Sequence, residues 1–232
     1  MSIPVIDFHD FFPALADETK AEIDALCSYR NVLPDTHLIR NGAYFTELYQ
    51  IQSGYVKYST VDHAGREAVL LYMAQGDWIG LSEVFSGLPA YWNVVAHTPV
   101  RLRVISQRDF ESMVKKHSTL ALELLKLFAH RFSIHRLVGP GHHTLSLKER
   151  LIKMLYVLSL SYGKGAPDTD PVVMSLSQEE LSKVVGSSRQ KLNPALQELA
   201  REGLLEVKFG GVTLGSRAGL VERYGYLLNA IS

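Results

Sequence analysis

The 232-residue chain holds one cysteine, Cys27. A disulfide within the chain is therefore excluded, as is a set of cysteine ligands for an iron–sulfur cluster, and a reducing, cytoplasmic setting is expected. Charge of one sign is lacking as well. With 24 basic and 24 acidic residues the formal net charge is zero, so the overall balance names no nucleic-acid or membrane partner. From residue 140 onward 11 basic residues stand against 9 acidic ones, a small cationic excess. No segment supplies the roughly 18 apolar residues of a membrane span. The opening MSIPVIDFHD has two acidic residues and a proline where a secretory leader has a basic stretch and an apolar run. Glycine-rich phosphate loops, nucleophile elbows and His-x-x-x-His spacings are missing too, which argues against an enzyme.

What is present describes a globular protein: 47% hydrophobic and 21% charged residues, at a length that suits two domains. From Asp17 to Tyr29 the apolar positions fit a short amphipathic helix. The following stretches, LYQIQSGYVKYSTVD, EAVLLYMAQGDWIG and NVVAHTPVRLRVIS among them, are short, rich in Val, Ile, Tyr and Thr, and punctuated by Gly, Asn, Asp or Pro. That pattern predicts an antiparallel β-sandwich or β-roll. After Gln107 the period becomes helical until GPG at 139–141. Leu120, Leu124, Leu127, Arg131, Ile134 and Val138 recur in steps of four and three, a heptad-like seam interrupted by one arginine. Leu125, Phe128 and Phe132 form a second stripe beside it. A helix apolar on two faces must bury both, so one stripe is expected on the sheet and the other on the same helix of a second copy, with the seam as the dimer interface. Burial of both stripes within one monomer is the alternative.

GPG reads as the junction between domains, because glycines flanking a proline end a helix and permit a change of direction. The expected division is a sensor β-roll over 1–114, a dimerisation helix over 115–138, a hinge over 139–145 and a second domain over 146–232. That domain opens with Ser146 and Glu149 at capping-box spacing, followed by the stripe Leu147, Leu151, Met154, Leu155 and Leu158. Ser177 and Glu180 repeat the spacing before a helix that points Leu181, Val184 and Val185 inward. Gly186 then allows a sharp turn, and Ser187 with Gln190 offers a third cap. In the next helix Leu192, Ala195, Leu196 and Leu199 are the apolar side, leaving Arg189, Gln190, Lys191 and Asn193 facing away. LLEVKFGGVTL completes the order with two short strands joined through Gly210 and Gly211.

Helix, glycine turn, helix and hairpin make a winged helix-turn-helix, which presents the N-terminal end of its second helix to base edges in the major groove. Arginine pairs with guanine through two hydrogen bonds, and glutamine or asparagine does the same with adenine. Lysine, serine and free N–H groups hold phosphate, so Ser188 and Ser177 join Arg189, Gln190, Lys191 and Asn193 as candidate DNA contacts. Pro194 interrupts this helix at a cost of about 3 kcal/mol. Either the helix starts near Ser188 and is kinked, or Asn193 caps a helix that begins at Pro194.

The order of β-roll, seam helix, glycine hinge and winged helix-turn-helix, with VVGSSRQ in the turn and LAREGLL before the wing, resembles the Crp/Fnr family of bacterial transcription regulators. The resemblance runs from about Asp17 to Leu214 and is most specific at GSSR. It implies an α+β protein with a cyclic-nucleotide-binding-like β-roll. Members are homodimers that bind pseudo-palindromic DNA, sense a small molecule or a redox signal, and contact RNA polymerase. By resemblance Arg189 is the principal base-reading arginine, while Gln190 stands where the best-known members carry glutamate, and Pro194 where several carry a polar or basic residue.

Members that bind a cyclic nucleotide hold its ribose with a glycine–glutamate pair and its phosphate with an arginine followed by serine or threonine. Here Gly80 matches the glycine, but Leu81 takes the glutamate position and Tyr91 and Trp92 take the arginine–serine pair. Glu83 lies two places late. A phosphate needs a cation or a nest of donors, so cyclic AMP is not the expected ligand. Gly80, Leu81, Ser82, Glu83, Tyr91, Trp92 and, further along, His135 are the candidates for an unidentified effector's pocket; alternatively the two aromatics fill that space. Haem would need a ligand among His97, His130 and His135, but nine scattered histidines read mostly as surface or core residues, so haem is not the expected cofactor. The adjacent His142 and His143 would point apart on any regular element. The reading is a homodimeric, sequence-specific transcription regulator. A regulator-like interaction module that has lost DNA binding, with Pro194 as the lesion, is the alternative.

Overall fold

A computed structural model describes residues 10–61, 67–138, 144–162, 166–174 and 176–228, and these form two compact units, one through His130 and one from Arg131. Of the expected hinge over 139–145, the GPG at 139–141 and the pair His142 and His143 lie outside the described residues.

The first unit opens with a 3-10 turn at Phe12–Ala14 and the helix α1 (Asp17–Ala25). Eight strands follow: β1 (Ser28–Val32), β2 (His37–Ile39), β3 (Glu47–Ser53), β4 (Val56–Val61), β5 (Glu67–Met73), β6 (Trp78–Ile79), β7 (Asn93–Ala96) and β8 (Val100–Ser106), with the short helix α2 (Leu81–Ser86) between β6 and β7. They make two four-stranded antiparallel sheets, ordered β1-β8-β3-β6 and β2-β7-β4-β5, the expected β-roll. The helices α3 (Gln107–Lys116) and α4 (Ser118–Val138) come next. Strands β3 and β8 are buried over consecutive residues instead of every second one. The cause is cover on both faces, because α3 packs on the same two strands. Leu48, Ile51, Leu102 and Ile105 are all but inaccessible, and Trp78 stacks on Phe11 at 5.3 Å and meets Phe110 at 5.4 Å. Arg103 is also buried; it is held by Asp24 at 2.9 Å, by the Gln50 side-chain carbonyl at 2.8 Å and by the face of Phe12 at 4.2 Å. The β3–β4 turn needs Gly54: its φ is +87° and a Cβ there would stand 2.2 Å from the Pro99 carbonyl oxygen.

On α4 the seam Leu120, Leu124 and Leu127 is buried within the chain at 0%, 3% and 1% exposure, and Ile134 is buried as well. Arg131 is half-buried, and the side chain of Val138 lies outside the described residues. Of the second stripe, Phe128 is half-buried against Phe85, whereas Leu125 and Phe132 are 65% and 61% exposed. Leu122 joins them at 52%. Leu120, Leu124, Leu127 and Ile134 of the regular seam thus pack inside their own chain, and the apolar surface left open lies one residue round the helix.

The second unit contains α5 (Leu147–Tyr162), β9 (Val172–Met174), α6 (Gln178–Val185), α7 (Arg189–Arg201), β10 (Leu205–Lys208), β11 (Gly211–Leu214) and α8 (Arg217–Leu228). Helices α5, α6 and α7 pack on one another around Leu151, Leu155, Leu181, Val185, Leu192 and Leu196. The wing has three strands, ordered β10-β11-β9, where the sequence pattern predicted two. Helix α8 follows the wing and packs on α5. Its first residue, Arg217, is buried and donates to Asp168 Oδ1 at 2.6 Å and to the carbonyls of Ser159 and Ala166, tying the end of α5 to the loop after it.

Candidate nucleic-acid interface

The turn between α6 and α7 is built by caps. Ser177 opens α6: its Oγ accepts from the Glu180 N–H at 3.2 Å, and the Glu180 carboxylate accepts from the Ser177 N–H at 2.7 Å. Half-buried in this cap, Ser177 has its hydroxyl oxygen engaged. Gly186 ends α6 in the left-handed region, at φ +70°, a conformation glycine adopts without a Cβ penalty. The next N–H, that of Ser187, donates to the Ser182 carbonyl at 2.9 Å and so belongs to the end of α6. The cap of α7 consequently falls one residue later than the expected Ser187. Ser188 is extended, with φ −93° and ψ 152°, and its Oγ accepts from the Lys191 N–H at 3.3 Å.

From that cap α7 runs unbroken from Arg189 to Arg201 with Pro194 inside it. The alternative start at Pro194, with Asn193 as its cap, is not adopted. Leu192, Ala195, Leu196 and Leu199 are buried, and Ser188, Arg189, Gln190, Lys191 and Asn193 are all exposed. There is no acidic side chain in the first turn. Unpaired N–H groups and the positive end of the helix dipole thus stand beside two cations, an arrangement that attracts phosphate. Gln197, one turn beyond Asn193, is exposed as well.

The far end of α7 is held by a network that local sequence patterns do not signal, since its members are some 20 to 50 residues apart. Lys148 of α5 donates to Glu198 at 2.8 Å and to Glu202 at 2.6 Å, lies 5.4 Å from the Tyr224 ring centre, and shares Glu202 with the Tyr224 hydroxyl at 2.6 Å. Helix α8 departs from helical geometry at Tyr224, at φ −126° and ψ 24°. Partial burial pushes the Glu202 carboxyl up, but the hydrogen bonds from Lys148 and Tyr224 outweigh it and hold the group below the usual carboxylate range. A carboxyl depressed on folding stabilises the fold above its unfolded pKa, about 4.3 for glutamate, and that contribution is lost as pH falls through the folded value. Between about pH 5 and pH 3 the second unit should therefore lose stability more steeply in the native chain than in Glu202→Gln. Calorimetry across that range would show it, and identical slopes would remove Glu202 from the role.

The β-roll residues are distributed differently from a closed pocket. Gly80 caps α2 at φ +94°, where a Cβ would stand 2.5 Å from the Phe45 ring. Leu81 is fully buried, whereas Ser82 is exposed and donates to Glu83 at 2.7 Å. Tyr91 is 68% exposed, with its ring edge-on to Trp92 at 5.0 Å, so Tyr91 does not fill the interior. No lysine or arginine occurs from Gly80 to Trp92. His135 is exposed on α4 and belongs to the second unit, whereas the other six candidates belong to the first. His97 is half-buried against Tyr72 and His130 is exposed. Among the described residues no group of three His, Cys, Asp or Glu side chains is placed to hold a metal, and no helix is long and apolar enough to cross a membrane. Burial pushes the Cys27 thiol up to about 11, with Arg103 partly opposing, so little reactive thiolate exists at neutral pH.

Two family descriptions match the chain in the same order as the two units: a cyclic nucleotide-binding domain over residues 29–117 and a Crp-like helix-turn-helix domain over residues 149–223. The chain belongs to the Crp/Fnr family. As a Crp/Fnr protein it is a DNA-binding transcription regulator, and its relatives are named as regulators. They include the global nitrogen regulator of Synechocystis sp., 23% identical over 76% of this chain and 80% of the relative. The CRP-like cAMP-activated global transcriptional regulator of Mycobacterium tuberculosis is 26% identical over 76% and 79%. The transcriptional regulator SdrP of Thermus thermophilus is 29% identical over 75% and 82%. The fold is shared with a CooA variant from Carboxydothermus hydrogenoformans, with TM-score 0.72, 16% identity, and coverage of 96% of this chain and 99% of that one. It is shared too with CprK complexed with OCPA, at TM-score 0.69, 20% identity and coverage of 95% and 97%.

Proposed function

We propose that this Crp/Fnr protein acts in the cytoplasm as a homodimer that reads a pseudo-palindromic operator with the N-terminal end of α7. The observation that carries the reading is the tip of that helix: capped by Ser188, free of acidic side chains, and presenting Arg189, Gln190, Lys191 and Asn193 to solvent. Arg189 and the two amides read base edges, while Lys191, Ser188 and the free N–H groups hold phosphate; Ser177, engaged in its own cap, is kept as a backbone contact. In a symmetric dimer the half-sites lie one helical turn apart, roughly 34 Å. The unbroken course of α7 through Pro194 supports DNA binding over the interaction-module alternative. RNA polymerase is the partner that the family membership suggests.

The effector we infer is a small molecule other than a cyclic nucleotide, because the segment from Gly80 to Trp92 offers no cation for a cyclic phosphate. Such a ligand acts only by binding one spacing of the two reading heads better than another.

Arg189→Ala is expected to weaken binding by about 1–3 kcal/mol at one base position of each half-site and to relax the preference there. Lys191→Ala should weaken all sequences alike and lower the salt dependence by about one phosphate's worth. Fluorescence anisotropy at two salt concentrations, on duplexes enriched from a randomised library and on single-base variants of them, measures both. Undiminished selectivity in Arg189→Ala would overturn its assignment. Affinity independent of salt would overturn DNA binding by this surface.

A further inference from the structure

Pro194 stands out on α7. Taking 100° per residue, the buried side chains Leu192, Ala195, Leu196 and Leu199 cluster around one direction, and Pro194 points about 150° away from it. It shares that outward face with Gln190, Asn193 and Gln197, and all four are exposed. The remaining exposed residues of α7 are Arg189, Lys191, Glu198 and Arg201, so Pro194 is the one exposed side chain on this helix without a polar group. Its ring contributes nothing to the core, and lacking an N–H it cannot bond to the Gln190 carbonyl as its position in the helix demands. A residue that costs helical stability and stays exposed to solvent gains its use from what lies beyond that face.

The outward face of a recognition helix meets the floor of the major groove, where a base pair presents hydrogen-bonding atoms and, on thymine alone, a methyl group at C5. The three amides beside Pro194 suit the donors and acceptors of adenine. An apolar ring suits the methyl, and proline loses no rotamer freedom on burial.

We propose that Pro194 is a specificity-determining residue whose ring contacts the C5-methyl of a thymine in each half-site, so that this chain reads a methyl group at the position where a polar or basic residue would read a hydrogen bond. The assignment rests on the reading of α7 as the recognition helix. Thymine and uracil differ in that methyl and share every hydrogen-bonding atom, which makes the contact separable from all others.

The test uses the full chain and the duplex it enriches from a randomised library. Each thymine of one half-site is replaced in turn by deoxyuridine, and the affinity of the native chain and of Pro194→Ser is measured for each duplex. Removing one buried carbon of this kind is expected to weaken the native chain about fourfold at a single position. In Pro194→Ser the thymine and deoxyuridine duplexes should bind alike at that position. Native affinity indifferent to every deoxyuridine, or a loss of the same size in Pro194→Ser, overturns the proposal while leaving DNA binding intact. Failure of the native chain to enrich any duplex overturns the recognition-helix reading, and this proposal with it.

Discussion

Exchanging Leu125 and Phe132 together for glutamate should convert the protein to a monomer and weaken its hold on a full operator by about 10²- to 10⁴-fold, the usual gain from linking two binding modules. Leu122, Leu125 and Phe132 recur on α4 at spacings of three and seven residues, with the exposed Ala129 between the last two, so they line one face. That face is apolar and more than half exposed at each of the three large side chains. A two-fold contact places every such residue in the interface twice. With about 1.5–3 kcal/mol for each fully buried side chain, four of them contribute on the order of 6–12 kcal/mol before the cost of association. Four buried carboxylates in their place cannot be tolerated. Leu127→Ala is the informative contrast: at 1% exposure it should destabilise its own subunit by about 2–5 kcal/mol and leave the dimer together. Sedimentation velocity separates the outcomes. A dimer that survives both glutamates would move the contact elsewhere, and a native chain that sediments as a monomer would overturn the homodimer.

That pair of variants also marks where sequence reading stops. Strand runs, helix periods and glycine turns are set by neighbours a few residues apart, so the β-roll and the winged helix-turn-helix were legible in order and in kind. The choice between two apolar stripes on one helix is different. Leu124 and Leu125 are adjacent and chemically the same, and only the residues already packed around α4 decide that one is buried and the other is left at the surface. The cap of α7 shows the same limit on a smaller scale, since Ser187 and Ser188 are both competent and the closing hydrogen bond to Ser182 takes the first of them. Tyr91 was legible as an aromatic in place of an arginine but not as an exposed one. The Lys148, Glu198, Glu202 and Tyr224 network and the third wing strand depend on long-range contacts that no local period encodes.

Replacing Pro194 by alanine should raise the stability of the second unit by about 2 kcal/mol. An interior proline costs a helix about 3 kcal/mol through its missing N–H and the contact of its ring with the carbonyl four residues back, here that of Gln190. Alanine restores the donor and removes the clash. Against this stands the greater freedom of the unfolded chain once the ring is gone, about 0.4–1 kcal/mol. Because Pro194 is exposed, no buried contact is lost in exchange. For a unit of this size each kcal/mol moves the midpoint by roughly 4–8 °C, so calorimetry of the full chain should show the transition of the second unit rise by roughly 8–16 °C. An unchanged or lower midpoint would mean that α7 accommodates the ring without strain. A rise accompanied by weaker binding to thymine-containing operators would mean that the proline is kept for what the helix reads, at the expense of how firmly it is folded.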